Sequence, residues 1–321
     1  MICGASNQDL LSISDLCAVY ATLGVHCIDV AADPAVVHAA REALDWVEER
    51  QGTRPWLMVS VSDGKDAHFR KAWFDPQKCP PDCSRPCEKI CPVKAISSFG
   101  AVDSRLCYGC GRCISSCPLG IIDEKDRTIG IQDFAELLSQ LSPDAIEIHT
   151  APGRLEAFKM TLNELLKAKV PFNRISVSCG LEGYEINYED LAKEFMDRYL
   201  YLKRFDQLPL WQLDGRKMCG DLGQGTAKFA VSLWQNIRHL MPPGPLQLAG
   251  GTNNETIKYF SNNEGPSGIA FGGMARKIIQ PWLLEAQSRQ ISLKDWPEGW
   301  NKSLNKAGQL VRPWLSRQYP K

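Results

Sequence analysis

The chain has 321 residues, 44% of them hydrophobic, and its 37 lysines and arginines are balanced by 37 aspartates and glutamates. Interspersed charges with no net excess rule out the basic footprint of a nucleic-acid binder or of a protein drawn to anionic membranes. No apolar run approaches the ~18 residues of a membrane span, and the hydrophobic content suffices for a large core, either one domain with an insertion or two domains.

In chain order, a β-rich opening segment, Met1 to Ala5, precedes a helical pattern carried by Leu16, Val19, Tyr20 and Leu23 that Gly24 closes. A second strand is predicted at Val25 to Val30, followed by Asp33 and Pro34 as N-cap and first residue of a second helix. A third strand, Trp56 to Ser62, leads into Gly64 to Lys78, where His68, Trp73 and Phe74 are expected to pack rather than react.

Next come eight of the thirteen cysteines. Cys79, Cys83, Cys87 and Cys91 are followed by Pro92, and Cys107, Cys110, Cys113 and Cys117 by Pro118. The second run, C-x2-C-x2-C-x3-C-P, has the spacing of bacterial ferredoxins, where three cysteines bind one 4Fe-4S cluster and the fourth binds the other. That logic pairs Cys107, Cys110 and Cys113 with Cys91, and Cys79, Cys83 and Cys87 with Cys117. The first run is C-x3-C-x3-C-x3-C, one residue longer in each of its first two gaps, which leaves 4Fe-4S or 3Fe-4S open for that cluster. Zinc is the competing reading, although zinc sites usually hold separated cysteine pairs. A disulfide framework suits a small secreted domain, not a chain of this size without a secretory signal pattern. Cys3, Cys17, Cys27, Cys179 and Cys219 lack pair spacing, as expected of a reducing compartment.

After the cysteines, Phe134, Leu137, Leu138 and Leu141 mark a helix, and strands are predicted at Ala145 to Thr150, Arg174 to Cys179, Leu210 to Asp214, Leu246 to Gly250 and Gly268 to Gly272. Helical patterns separate them, among them Phe158, Leu162, Leu165 and Leu166, then Phe229, Leu233, Ile237 and Leu240. Eight strands alternating with helices predict an α/β chain folded as a (β/α)8 TIM-type barrel, with a ferredoxin-like two-cluster insertion after strand 3; an open doubly wound sheet is the alternative. The parts are then residues 1–63, the first three strands; 64–126, the iron-sulfur insertion; 127–287, the rest of the barrel; and 288–321, a C-terminal tail with Trp296, Trp300 and Trp314.

Glycine-bearing loops follow strands six, seven and eight: Gly220, Gly223, Gly225 and Thr226; Gly250, Gly251 and Thr252; and Gly272 and Gly273, with Arg276 and Lys277 beyond. Such loops either make tight turns or hold a phosphate-bearing ligand such as a flavin against free backbone N-H groups. Asp29, Asp33, His149, Thr150, Ser178, Asp214 and Arg216 lie at strand ends, and His149 is a candidate acid or base. No nucleophile elbow, HExxH or P-loop is present.

The segments Ile2-Cys3-Gly4-Ala5-Ser6 and Cys27-Ile28-Asp29-Val30-Ala31-Ala32-Asp33-Pro34, the two cysteine runs, Gly220-Asp221-x-Gly223-x-Gly225-Thr226 and Leu248-Ala249-Gly250-Gly251-Thr252-Asn253 resemble the light-dependent period protein (LdpA) family over almost the whole chain. The resemblance implies a cyanobacterial or plastid iron-sulfur protein that reports the redox state of photosynthetic electron transport to the circadian clock. It implies redox or clock-input protein partners, and a cytoplasmic location, or the plastid stroma for a chain preceded by a transit peptide. Two functions are expected on these grounds. One is a redox sensor, and the other an iron-sulfur oxidoreductase passing electrons to a flavin or another phosphorylated ligand at the barrel mouth.

Overall fold

The computed structural model describes residues 1–3, 10–65, 70–91, 94–97, 101–104, 106–107, 109–126, 133–181, 183–206, 209–216, 225–261 and 264–317. Seven strands form one parallel sheet: β1 Cys27–Ala31, β2 Trp56–Ser62, β5 Ala145–His149, β6 Arg174–Cys179, β7 Pro209–Asp214, β8 Leu246–Ala249 and β9 Gly268–Ile269. Their order in the sheet is their order in the chain, without the reversal that marks a doubly wound sheet. Two more strands, β3 Arg70–Trp73 and β4 Asp123–Asp126, pair antiparallel as a separate ribbon between β2 and β5.

Eight sheet strands were predicted, and seven form a parallel half-barrel among the described residues. The difference lies in the opening segment, of which Met1–Cys3 is described. Ile2 makes one parallel bridge to Asp29, Cys3 N-H donates to Asp29 O at 2.8 Å and Asp29 N-H to Met1 O at 2.9 Å. On the other flank Ile2 N-H donates to Phe271 O at 2.8 Å.

Alternation within the strands separates two faces. One carries Ile28, Val30, Leu57, Val59, Val61, Ile146, Ile148, Ile175, Val177, Trp211, Leu213 and Leu248, all buried in the main core. That core lies beneath helices α1 Leu10–Thr22, α2 Pro34–Gln51, α6 Leu155–Lys167, α7 Tyr188–Leu202, α8 Ala227–Ile237 and α9 Gly273–Ser288. Each such side chain contributes about 1.5–3 kcal/mol on burial. The opposite face is also buried but polar, with Asp29, Ser60, Glu147, His149, Ser176, Ser178 and Gln212.

The predicted helix signals act through specific bonds. Asp33 is extended, at φ −128°, and its carboxylate accepts from Ala35 N at 2.9 Å and Val36 N at 3.2 Å, with Pro34 at the first turn of α2. Gly24, at φ 84°, turns the chain after α1. Replacing Asp33 by alanine leaves two N-H groups without their acceptor and is expected to lower unfolding stability by about 1 kcal/mol, read as a shift in the denaturant midpoint.

The C-terminal segment forms α10, Pro297–Leu315, which packs on α1 and α9. Its tryptophans enter the main core: Trp300 meets Trp46 edge-on at 5.5 Å, and Trp314 meets Phe260 at 6.0 Å. Asp15 of α1 accepts from Ser292 Oγ at 2.6 Å and Leu293 N at 2.9 Å, tying the two ends of the chain together. None of the described helices is long and apolar enough to cross a membrane.

Candidate functional site

The two cysteine runs hang from the β3-β4 ribbon. Each has the same local frame over its second half. Arg85 (φ 50°) and Gly111 (φ 77°) are left-handed N-caps of one-turn helices, α3 Pro86–Ile90 and α4 Arg112–Ser116. Cys87 and Cys113 lie one residue into those turns, and Cys91 and Cys117 are their C-caps. Beyond them, Lys94 (φ 51°) and Gly120 (φ 61°) return their N-H to Cys91 O at 3.3 Å and Cys117 O at 3.2 Å. The two halves repeat at an offset of 26 residues, so the longer gaps of the first run are confined to Pro80 to Ser84. The second run places glycine at both left-handed positions, where the first run accepts the cost of arginine and lysine.

Thiols from different runs converge. One cavity is lined by Cys91, Cys107, Cys110 and Cys113 together with Ala72, Ala95, Ile96 and Val102. Burial, and then the neighbouring thiols of Cys110, Cys107 and Cys91, push the Cys113 thiol up to about 12. Elsewhere in the lobe Cys79 feels Cys83 and Cys117, and Cys87 feels Cys117 and Cys79; burial leads the upward shift of both. At Cys117 burial also works to raise the thiol, but backbone N-H groups of Ile121, Leu119, Gly120 and Ile122 outweigh it and hold its pKa below the ordinary value. Ala95 N-H donates to Cys91 Sγ at 3.2 Å and Arg85 N-H to Cys83 Sγ at 3.5 Å, while Arg85 Nη1 lies 3.9 Å from Cys79 Sγ.

This donor set fits an iron-sulfur cluster. Four thiols around a cavity otherwise lined by apolar residues, Gly111 and Arg112, with N-H groups aimed at sulfur, suit a soft anionic cofactor. All twelve described cysteines are free thiols. The lobe's own core is small, comprising Ala72, Phe74, Cys87, Ala95, Ile96, Cys107, Cys113 and Ile122. Three of those eight are cysteines, so filling the space between them has structural as well as chemical weight.

The glycine loops divide. Gly220 and Gly223 lie outside the described residues. Gly225 (φ 95°) precedes Thr226, whose hydroxyl donates to Gly251 O at 2.7 Å and accepts from Asn253 Nδ2 at 3.0 Å. Thr252 donates to Ala270 O at 2.5 Å. Gly250 (φ 66°) and Gly251 (φ 88°) have left-handed backbones, and side chains there would meet Arg216 O at 2.6 Å and Thr226 O at 2.9 Å. Tight turns and close packing between loops therefore account for both. Gly272 caps α9 and Gly273 opens it, but Arg276 turns to Cys3 O at 3.2 Å.

On the polar face of the sheet, the strand-end candidates His149 and Asp29 meet residues that the sequence reading passed over. Ser60 Oγ donates to Asp29 Oδ1 at 2.5 Å and lies 3.0 Å from Glu147 Oε2. His149 Nε2 is 3.4 Å from Glu147 Oε2, and Gln212 Nε2 donates to Glu147 Oε1 at 2.6 Å, reaching across β6. Burial and the charge of Glu147 push Asp29 well above the usual carboxylate range. Burial acts the same way on Glu147, but His149 and hydrogen bonds from Asp29 and Ser60 outweigh it and hold that carboxyl below its ordinary value. Glu147, Ser60 and Gln212 had a legible signal: polar residues at every second position of strands expected to be apolar.

The LdpA iron-sulfur cluster-binding domain matches residues 79–128, and the light dependent period A C-terminal domain matches residues 137–313. Light dependent period A from Synechococcus elongatus is 40% identical over 322 aligned residues, 98% of this chain and 90% of that protein. Two uncharacterized ferredoxins from Methanocaldococcus jannaschii are 28% identical over 32% of this chain and 36% identical over 22% of it, and the matches span 71% and 40% of their lengths. A solved Rubisco from Pyrococcus horikoshii is 10% identical at a TM-score of 0.37, with 99% of this chain laid over 64% of that one, too weak a likeness to carry an argument. Near full-length identity to one relative, joined to matches over the cysteine lobe and the C-terminal half, establishes that this iron-sulfur protein belongs to the light dependent period A family.

Proposed function

We propose that the chain holds two 4Fe-4S clusters, one on Cys91, Cys107, Cys110 and Cys113 and one on Cys79, Cys83, Cys87 and Cys117, and that their redox state is its signal. The output would be a redox-dependent input to the circadian clock, delivered to redox or clock-input protein partners. The cavity lined by Cys91 of the first run and three cysteines of the second carries the reading, since a shared site is what a two-cluster ferredoxin fold requires. In the same reading Met1–Cys3 bridges Asp29 and Phe271 as the eighth strand of a closed barrel.

Coupling of cluster to shape follows from the lobe's small core. Phe74, Ile96 and Ile122 are its only large buried aliphatic or aromatic side chains among the described residues, worth about 1.5–3 kcal/mol each. Lobe order then depends on the cofactor, as in other small metal-bound domains. Removal of the clusters with a chelator and an oxidant is expected to raise amide hydrogen exchange in residues 70–126 by at least tenfold while the strands of the main sheet stay protected. Unchanged protection of the lobe would separate cluster state from conformation.

Arg85 offers a second handle. Its guanidinium lies near Cys79 Sγ, and its backbone N-H near Cys83 Sγ. A positive charge at a cluster favours the reduced, more negative state, so Arg85→Ala is expected to lower the potential of that cluster by on the order of tens of millivolts. Redox titration followed by EPR reads the shift, and the other cluster should not move.

The experiment that tests the proposal is analysis of anaerobically purified protein. About eight irons and eight sulfides per chain, with the broad visible absorbance of 4Fe-4S centres, is the expected result. A colourless zinc protein would overturn it, and flavin released by acid in stoichiometric amount would replace the sensor with an oxidoreductase.

A further inference from the structure

The buried polar face of the sheet carries ligands without an assigned task. Asp29 of β1 and Glu147 and His149 of β5 each offer one donor atom, and these three atoms lie within 4.8 Å of one another. All three residues are buried, at 2%, 0% and 4% exposure. Ser60 Oγ sits between the two carboxylates, 2.5 Å from Asp29 and 3.0 Å from Glu147.

An independent observation comes from the next strand. Ser176 and Ser178 of β6 stand directly across from Glu147 and His149 in the sheet register, on the same face. They are 0% and 1% exposed, and neither hydroxyl has a hydrogen-bond partner among the described residues. A buried hydroxyl left unmet is destabilising, so two beside one cluster call for a polar occupant.

We propose that this face binds one divalent first-row cation through Asp29, Glu147 and His149, with its water ligands held by Ser176 and Ser178. Two carboxylates balance the charge of a divalent ion, and the imidazole favours a first-row transition ion such as Mn2+, Fe2+ or Zn2+ over Mg2+ or Ca2+. Ser60 and Gln212 hold the carboxylates by hydrogen bonds, as outer partners of metal sites do. The site is built on rigid strands of the sheet and shares no residue with either cysteine quartet, so it stands or falls separately from the iron-sulfur reading.

The test uses the full-length protein with its clusters in place, titrated anaerobically with Mn2+ while the EPR signal of the free aquo ion is followed. The expected result is one Mn2+ bound per chain, displaced by Zn2+. His149→Ala should abolish binding, and Ser178→Ala, a small change that leaves all three ligands intact, should weaken it about tenfold. The Cys91→Ala/Cys113→Ala double variant should bind Mn2+ as the unaltered protein does. Absence of Mn2+ and Zn2+ binding by the unaltered protein would overturn the proposal, as would binding that survives in a folded His149→Ala variant. Loss of binding in the cysteine variant would overturn it too, by moving the ion to the lobe.

Discussion

If the chain holds the two proposed 4Fe-4S clusters, a variant carrying both Cys91→Ala and Cys113→Ala is expected to keep about four irons of eight, whereas one carrying Cys113→Ala and Cys117→Ala is expected to keep none. The second pair is the closer in sequence, both cysteines belonging to the short helix α4 and its C-cap. The first pair lies in different runs but lines the same cavity. If each run held its own cluster, the two outcomes would be reversed. Iron and sulfide counts on the two double variants decide the matter without assigning EPR signals. Alanine is the better replacement because a serine oxygen could take the place of sulfur at iron. The single variant Cys113→Ala should halve the iron and, if the clusters are the sensor, abolish or reduce the light response of the clock period in cells.

Trp211→Ala is expected to cost about 3–5 kcal/mol of stability and to lower the melting temperature by on the order of 10 °C. Trp211 lies on β7 with no exposed surface, packs edge-on against Phe195 of α7 at 5.3 Å, and its indole N-H donates to Pro243 O at 3.2 Å. The chain is drawn in close behind it: a side chain at Gly244 would meet the indole nitrogen at 2.9 Å. Truncation leaves a large cavity and a carbonyl without its donor, and surroundings this tightly packed cannot collapse into the gap. Trp211→Phe should recover most of the loss, since it restores volume but not the hydrogen bond. Cluster absorbance at low temperature should be unchanged in both variants, because the main core and the lobe core are separate.

Much of the architecture could be read from local pattern. Seven predicted strand segments overlap the seven strands of the parallel sheet, and the cap at Asp33 forms as its residue type dictates. Such features depend on neighbours a few residues away, and period-2 and period-3.6 burial write them directly into the sequence. The opening segment is described at Met1–Cys3, whose backbone bridges to Asp29 on one flank and bonds to Phe271 on the other.

The cysteine types and spacings alone identified a soft-metal site, because iron-sulfur chemistry needs several thiolates on short turns. The repeat of Arg85 and Lys94 by Gly111 and Gly120 became visible only with backbone angles, since two of the four positions lack the glycine that would signal a left-handed turn. Loop glycines carried an opposite ambiguity. Gly250 and Gly251 suit a phosphate loop or a close-packed turn equally well by type, and the distances to Arg216 and Thr226 favour packing.

The sequence by itself determined the family, the cofactor class and the order of strands and helices, all of which reside in local residue types and spacings. Only the tertiary structure decided which thiols share a cavity, and that Asp29, Ser60, Glu147 and Gln212 from four strands meet on one buried face. Those are contacts between residues as many as 87 positions apart, from Ser60 to Glu147. Sheet curvature and helix packing, not any local preference, bring them within hydrogen-bonding distance.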